Sequence, residues 1–248
     1  MTIELPPQAL HIYYTYPEKI TDQELLQKYL QELSPQEQQK HARFHFAKHR
    51  HLYLVAHALV RRTLSRYGDL APASWQFSEN QYGRPEISAP QQQFFKAPLR
   101  FNLSHTEGLI ACGVVLERDL GVDVENSTRM NNATEVAEHY FSASEVKSLR
   151  ELANASQQNR FFRYWTLKEA YIKARGMGLA LPLDQFSIRL NDQGAPVGVD
   201  FTDKIQDDAH LWFFEALNLQ ENYFAAIACR KKYAEETLVA SHYTNTIP

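Results

Sequence analysis

Short apolar runs with strand-like composition and longer stretches with helical spacing follow one another along this chain, and they do so twice in the same order. The spacing predicts a strand near 10–16, a helix near 22–32 and a long, broken helix over 34–66. Strands follow near 75–77, 100–103, 109–116 and 120–125. In the second half, helices are expected near 132–139, 143–153 and 157–175, and strands near 186–190, 211–216 and 223–230. Gly176 and Gly178 stop the last helix, as glycine does past a helix C-terminus. The stretch after Tyr233 is polar and reads as a loose tail.

The repetition is specific. Ser34-Pro-Gln-Glu37 and Ser142-Ala-Ser-Glu145 are both S-x-x-E boxes, in which serine and glutamate satisfy each other's orphan helix N–H groups. The helical stretch after the first contains Arg43-Phe44-His45-Phe46, and that after the second contains Arg160-Phe161-Phe162-Arg163. An alternating segment and a turn come next, WQFSENQYGRP from Trp75 and FSIRLNDQGAP from Phe186, with Asn and Gly at the same offsets from the opening aromatic residue. Each half closes on an apolar run that carries its one cysteine, Cys112 or Cys229. Four matches in one order argue for two related α/β lobes of α+β packing, 1–118 and 119–248, joined near 117–121.

Composition narrows the class. The chain has 248 residues, 44% hydrophobic and 22% charged, the make-up of an ordinary globular protein. A net charge of −3 gives no global reason to expect nucleic acid or membrane as a partner. No run approaches the roughly 20 apolar residues of a membrane span, and the N-terminus lacks the pattern of a secretory signal. Both cysteines lie in apolar runs and read as buried thiols in a reducing compartment. The expectation is a soluble cytoplasmic protein, and a monomer.

The chemistry concentrates in two segments. In GVDVE, residues 121–125, strand geometry projects Asp123 and Glu125 to one face and Val122 and Val124 to the other. In WTLKEAYIKARGM, residues 165–177, Glu169 and Lys173 share a helix face. Phe161, Trp165 and Ile172 line the apolar side, so Glu169 stands on the border of the core. Clustered carboxylates are costly without a cation between them, and their oxygens suit a hard ion such as Mg²⁺. The alternatives are a solvated strand edge and a plain i,i+4 ion pair. FNLSHT, residues 101–106, offers Asn102, Ser104 and His105 to a phosphate or nucleotide, or is a simple strand-to-turn transition. QYGRP, residues 81–85, holds Arg84 on a stiff corner with a guanidinium suited to phosphate. His41, His45 and His49 are spaced four apart and could be read as zinc ligands, but a solvated stripe explains them better. Lys40, Arg43, Lys48 and Arg50 give the same region a basic face.

Taken together, QYGRP, FNLSHT, GVDVE, FSASE from Phe141 and WTLKEAYIKARGMGL resemble, in order, the motifs of the 4′-phosphopantetheinyl transferase superfamily, Sfp type. The likeness spans about residues 34–230, and GVDVE followed by W-T-x-K-E-A-x-x-K is its specific part. The resemblance implies a pseudo-two-fold tandem of two similar lobes with coenzyme A in the cleft between them. It implies transfer of phosphopantetheine from coenzyme A to a serine of an apo acyl or peptidyl carrier protein, with release of adenosine 3′,5′-bisphosphate. By the same resemblance Asp123, Glu125 and Glu169 would be Mg²⁺ ligands, Lys173 would contact the phosphates, and Ser104 and His105 would bind the nucleotide end. Arg84 stands where the family often has lysine, and Lys40 and Arg43 where it presents basic residues to the 3′-phosphate. His49 stands where an acidic residue is common. Glu169 is the expected acceptor of the serine proton. Carrier docking is expected on Arg129, Met130, Phe141, Lys147 and Arg150. Competing expectations are a Mg²⁺-dependent phosphoesterase and a non-catalytic nucleotide-binding module.

Overall fold

The computed structural model describes residues 2–129, 132–220 and 222–244, and of Arg129, Leu179 and Asn218 the backbone alone. The first elements in chain order are β1 (Ala9–Thr15), α1 (Gln23–Glu32), α2 (Pro35–Arg43), α3 (Ala47–Leu64), β2 (Phe77–Glu79) and β3 (Pro85–Ile87). Then come α4 (Ala89–Gln92), β4 (Leu99–Thr106), β5 (Leu109–Leu116), β6 (Leu120–Asn126), α5 (Ala133–Tyr140) and α6 (Ala143–Arg150). The chain ends with α7 (Asn154–Arg175), β7 (Phe186–Leu190), β8 (Pro196–Phe201), β9 (Trp212–Gln220), β10 (Tyr223–Arg230) and β11 (Val239–Thr244). None of the described helices is long and apolar enough to cross a membrane.

These elements form two units. The first comprises the chain up to Glu79, Pro85–Glu117 and the segment from Val239; the second comprises Asn80–Arg84 and Arg118–Leu238. Within the first, the sheet order is β11-β1-β5-β4, and β2 and β3 make a separate hairpin. Tyr13, Leu59, Leu64, Trp75, Phe101 and Ile110 belong to its core. Within the second, the order is β6-β10-β9, with β7 and β8 as the hairpin. Its core includes Leu149, Phe161, Leu167, Tyr171, Phe186 and Phe224.

The internal repeat is visible in the topology. Both units run strand, three helices, hairpin and two strands, with the short α4 added after the hairpin in the first, and in both the last of these strands lies between two others in the sheet. That central strand, β5 or β10, is antiparallel to both neighbours. Both S-x-x-E boxes form as expected, at the N-termini of α2 and α6. Each box glutamate then receives a cation from the long helix that follows. Arg61 Nη2 donates to Glu37 Oε2 at 2.6 Å and its Nη1 to Trp75 O at 3.0 Å. Lys168 Nζ donates to Glu145 Oε2 at 2.7 Å and to Phe186 O. The acceptors Trp75 and Phe186 are the two aromatic residues that open the repeated segments. One buried ion pair in each unit thus ties a capping box, a long helix and the start of the hairpin segment together.

Three expectations need correction. The stretch after Tyr233 is not a loose tail: β11 pairs in parallel with β1 from Ala9↔Val239 to Tyr14↔Thr244, and Tyr243 stacks on Tyr13 with ring centroids 4.8 Å apart. A division at 118/119 therefore misplaces that strand, which lies with the first unit, and Asn80–Arg84, which lie with the second. The histidine stripe does not exist as one helical face, because the break in the long helix falls at residues 44–46 and leaves His45 between α2 and α3.

Candidate active site

The site is built where α7 crosses β6. Period-two geometry turns Gly121, Asp123 and Glu125 to the same side of the strand, and α7 lies on that side. Contact is so close that a Cβ on Gly121 would stand 1.8 Å from the Ala170 carbonyl oxygen and 2.5 Å from the Ala174 nitrogen. Only glycine permits that approach. The crossing at Ala170 and Ala174 brings the residues beside them, Glu169 and Lys173, to the next positions along β6.

Lys173 Nζ lies 2.6 Å from Asp123 Oδ1, with Asp123 only 4% exposed and the lysine side chain 29% exposed. Glu169 is half-buried, and its carboxyl titrates above the ordinary range. Burial is the main cause and the Asp123 charge adds to it, while Lys173 acts in the opposite direction. Glu125 follows on the same strand face, half-buried. Asp123, Glu169 and Lys173 are therefore brought together as the motif spacing suggests.

The donor set suits Mg²⁺ by chemistry, since carboxylate oxygens are hard ligands and one or two of them commonly suffice beside phosphate and water. Among the described residues no group of three or more His, Cys, Asp or Glu side chains is placed to hold a metal ion. Two neighbouring carboxylates with a lysine against one of them make an open arrangement.

The other expected residues sit as follows. Lys40, on α2, lies over the Tyr53 ring at 5.6 Å and borders a cavity of about 800 Å³ in the first unit, walled by Tyr53, Trp75, Phe77 and Phe101. Arg43 ends α2 and is exposed. Ser104 and His105 are neighbours on β4, the first buried and the second exposed, so the strand turns them to opposite faces. Arg84 belongs to the second unit, and its Nη1 donates to Ala174 O at 2.7 Å. Of the docking residues, Met130 and the Arg129 side chain lie outside the described residues. Phe141, Lys147 and Arg150 border a hollow of about 560 Å³ on the second unit. Lys147 faces Glu151, and Arg150 pairs with Glu138.

Three residues that matter here stand inside the quoted segments without being candidate site residues. Gly121 opens the motif that carries Asp123 and Glu125, and a glycine inside a strand is itself a sign of close backbone approach. Lys168, wholly buried, is the partner of the second capping box. Asn80 contacts α7 from ninety-six residues away, Nδ2 donating to Gly176 O at 2.9 Å.

Comparison with known proteins agrees with this geometry. A model of the 4′-phosphopantetheinyl transferase superfamily matches residues 119–228, and one of the N-terminal part of 4′-phosphopantetheinyl transferases matches residues 20–114. The chain is 31% identical to the 4′-phosphopantetheinyl transferase Sfp of Bacillus subtilis, over 75% of this chain and 79% of that protein. It is 34% identical to the 4′-phosphopantetheinyl transferase HetI of a Nostoc species, over 64% of this chain and 65% of that one. The solved holo-(acyl-carrier-protein) synthase of Bacillus anthracis, in complex with CoA, is 16% identical over 46% of this chain and 96% of its own, with a TM-score of 0.38, too slight a likeness to add to the argument. By the first of these relatives alone, and with Asp123, Glu169 and Lys173 gathered on β6 and α7, the chain belongs to the 4′-phosphopantetheinyl transferase superfamily.

Proposed function

We propose that the protein moves the 4′-phosphopantetheine group of coenzyme A to a serine hydroxyl of an apo acyl or peptidyl carrier protein, acting as a cytoplasmic monomer. The observation that carries this reading is the Asp123–Lys173 contact of 2.6 Å with the half-buried Glu169 beside it. In the reaction the serine oxygen bonds to the phosphorus next to the pantetheine arm. The bond from that phosphorus to the oxygen shared with the nucleotide breaks, and adenosine 3′,5′-bisphosphate leaves. Such transfers need little covalent help, so positioning and charge neutralisation supply most of the acceleration.

Asp123 and Glu169 are the residues that would hold Mg²⁺, with Glu125, next on the same strand face, assigned as the third ligand on the family resemblance. When bound, the ion would offset negative charge on the diphosphate as a Lewis acid. Glu169 accepts the serine proton, and burial beside Asp123 raises its carboxyl toward the range a general base needs. Lys173 neutralises the departing phosphate, its ammonium being held near the reacting atoms by Asp123. Ser104, His105, Lys40 and Arg43 are assigned to the nucleotide end, with His105 and Arg43 presenting exposed groups. Phe141, Lys147 and Arg150 are assigned to the carrier, whose acidic helix would compete with Glu138 and Glu151 for the two cations that border this hollow.

The decisive experiment incubates the protein with coenzyme A, Mg²⁺ and a panel of apo-carriers, and reads the mass of each carrier. Modification of a serine is expected. Steady release of adenosine 3′,5′-bisphosphate without any carrier would mark a hydrolase instead. Glu169→Gln is expected to abolish transfer while keeping the fold and most of the coenzyme A binding. Near-normal turnover of that variant at saturating Mg²⁺ would remove Glu169 from the reaction.

A further inference from the structure

Asn80–Arg84 leaves β2 and returns in β3, yet belongs to the second unit. The loop is closed on itself. Asn80 Oδ1 accepts from the Tyr82 and Arg84 N–H groups at 2.9 Å each, the Gly83 N–H donates to Asn80 O at 3.0 Å, and the Asn80 N–H donates to Arg84 O at 3.0 Å. Gly83, at φ +83°, completes the turn in a conformation other residues resist. What remains is one side-chain amide and one guanidinium, and both are aimed at the end of α7.

The last carbonyls of a helix have no intrahelical donor and carry partial negative charge. At the end of α7, Asn80 Nδ2 donates to Gly176 O at 2.9 Å. Arg84 Nη1 donates to Ala174 O at 2.7 Å and lies 3.4 Å from Lys173 O. The guanidinium packs on the bare Cα of Gly176: a Cβ there would stand 2.6 Å from it. Gly176 is at φ +63°, so the same glycine that ends the helix makes room for the cation that caps it. One of the bonded carbonyls is that of Lys173 itself.

We infer that Asn80 and Arg84 are positioning residues for the transfer: together they fix the last turn of α7, and through it the aim of Lys173 and Glu169 toward Asp123. This inference rests on the transferase reading above. A guanidinium engaged in this way is a clamp on the helix rather than the phosphate contact its place in QYGRP suggests. The neutral Asn80 belongs to the same clamp and has no charge to offer a phosphate, so it separates the two roles.

The test is steady-state transfer to an apo-carrier, with a separate measurement of coenzyme A binding, for the native chain, Asn80→Ala, Arg84→Ala and the double variant. Both single variants are expected to lower kcat roughly tenfold to a hundredfold, with the Kd for coenzyme A within about twofold of the native value. The double variant should lose little more than the worse single one, since both act on one helix end. Amide exchange at residues 173–176 should quicken in each. If Arg84→Ala fails to fold, Asn80→Ala still decides. A native kcat in Asn80→Ala overturns the inference, as does an Arg84→Ala that weakens coenzyme A binding but keeps kcat at saturation. A native chain that modifies no carrier would instead remove the transferase reading, and this inference with it.

Discussion

At the scale of single residues, the chain uses charge in two separate ways. Glu37, partly buried, and Glu145, fully buried, are carboxylates whose oxygens are satisfied by a capping box and a cation, and they serve stability. Asp123 and Glu169 are placed beside each other with Lys173 against Asp123, the arrangement to which the proposed transfer is assigned. The first kind has a measurable pH signature. Burial would raise the Glu37 carboxyl, but hydrogen bonds from His57 and the Ser34 N–H, together with the Arg61 guanidinium, outweigh it and bring the group from 4.5 down to about 2. A depressed carboxyl stabilises fully above its unfolded pKa and loses that contribution as pH falls from about 4.5 toward about 2. The difference is worth about 3 kcal/mol. Glu37→Gln should therefore lower the unfolding free energy at pH 7 by about that amount and flatten its acid limb between pH 4.5 and 2. An unchanged limb in denaturant titrations would show that the box, not the charge, holds α2.

At the scale of elements, the crossing of α7 over β6 makes the site, and one missing side chain permits the crossing. Gly121→Ala forces the helix off the strand or the strand out of register, since backbone atoms stand where the new methyl must go. Overpacking of this kind costs about 1–3 kcal/mol, sometimes more. The expected result is a destabilised second unit with transfer reduced beyond detection, because Asp123 and Lys173 separate. Retained activity with an unchanged melting curve would mean that the close approach is dispensable. How much of this was legible follows from what is local. The capping boxes, the turn at Gly176 and the shared helix face of Glu169 and Lys173 depend on residues within a few positions of one another, and the structure has all three. The role of Arg84 depends on carbonyls ninety residues away, and the place of β11 depends on a register with β1. Val239–Thr244, VASHYT, has no buried residue and no strict alternation of apolar and polar positions, so nothing in its own pattern separates an edge strand from a tail. Lys168 was hidden differently. It looks like a surface lysine in the helix, and only its spacing from the box, 23 residues against 24 for Arg61, connects it to a counterpart.

At the scale of the molecule, the chain passes between its two units at Glu79, Arg84, Glu117 and Leu238. The last passage returns β11 to the sheet of the first unit, with Arg118 and Glu236 in a buried bidentate pair just before it, at 2.7 and 2.6 Å. Ending the chain after Leu238 would strip a parallel strand from β1 and the stacked Tyr243 from Tyr13. The thermal midpoint should fall, by about 2–4 °C for each kcal/mol lost, and circular dichroism would register it. A midpoint equal to that of the full chain would show that β11 contributes nothing to the first unit.

The paired anchors Arg61 and Lys168 have unequal sequels. α3 ends at Leu64, three residues past its anchor, whereas α7 continues to Arg175, seven past its own. Lys168 is wholly enclosed and cannot swing outward, so the azimuth of α7 is already decided when the chain reaches the very next residue, Glu169. In the first half the device is a rivet. In the second it works as a keyway, which points Glu169, the proposed proton acceptor, before any substrate arrives.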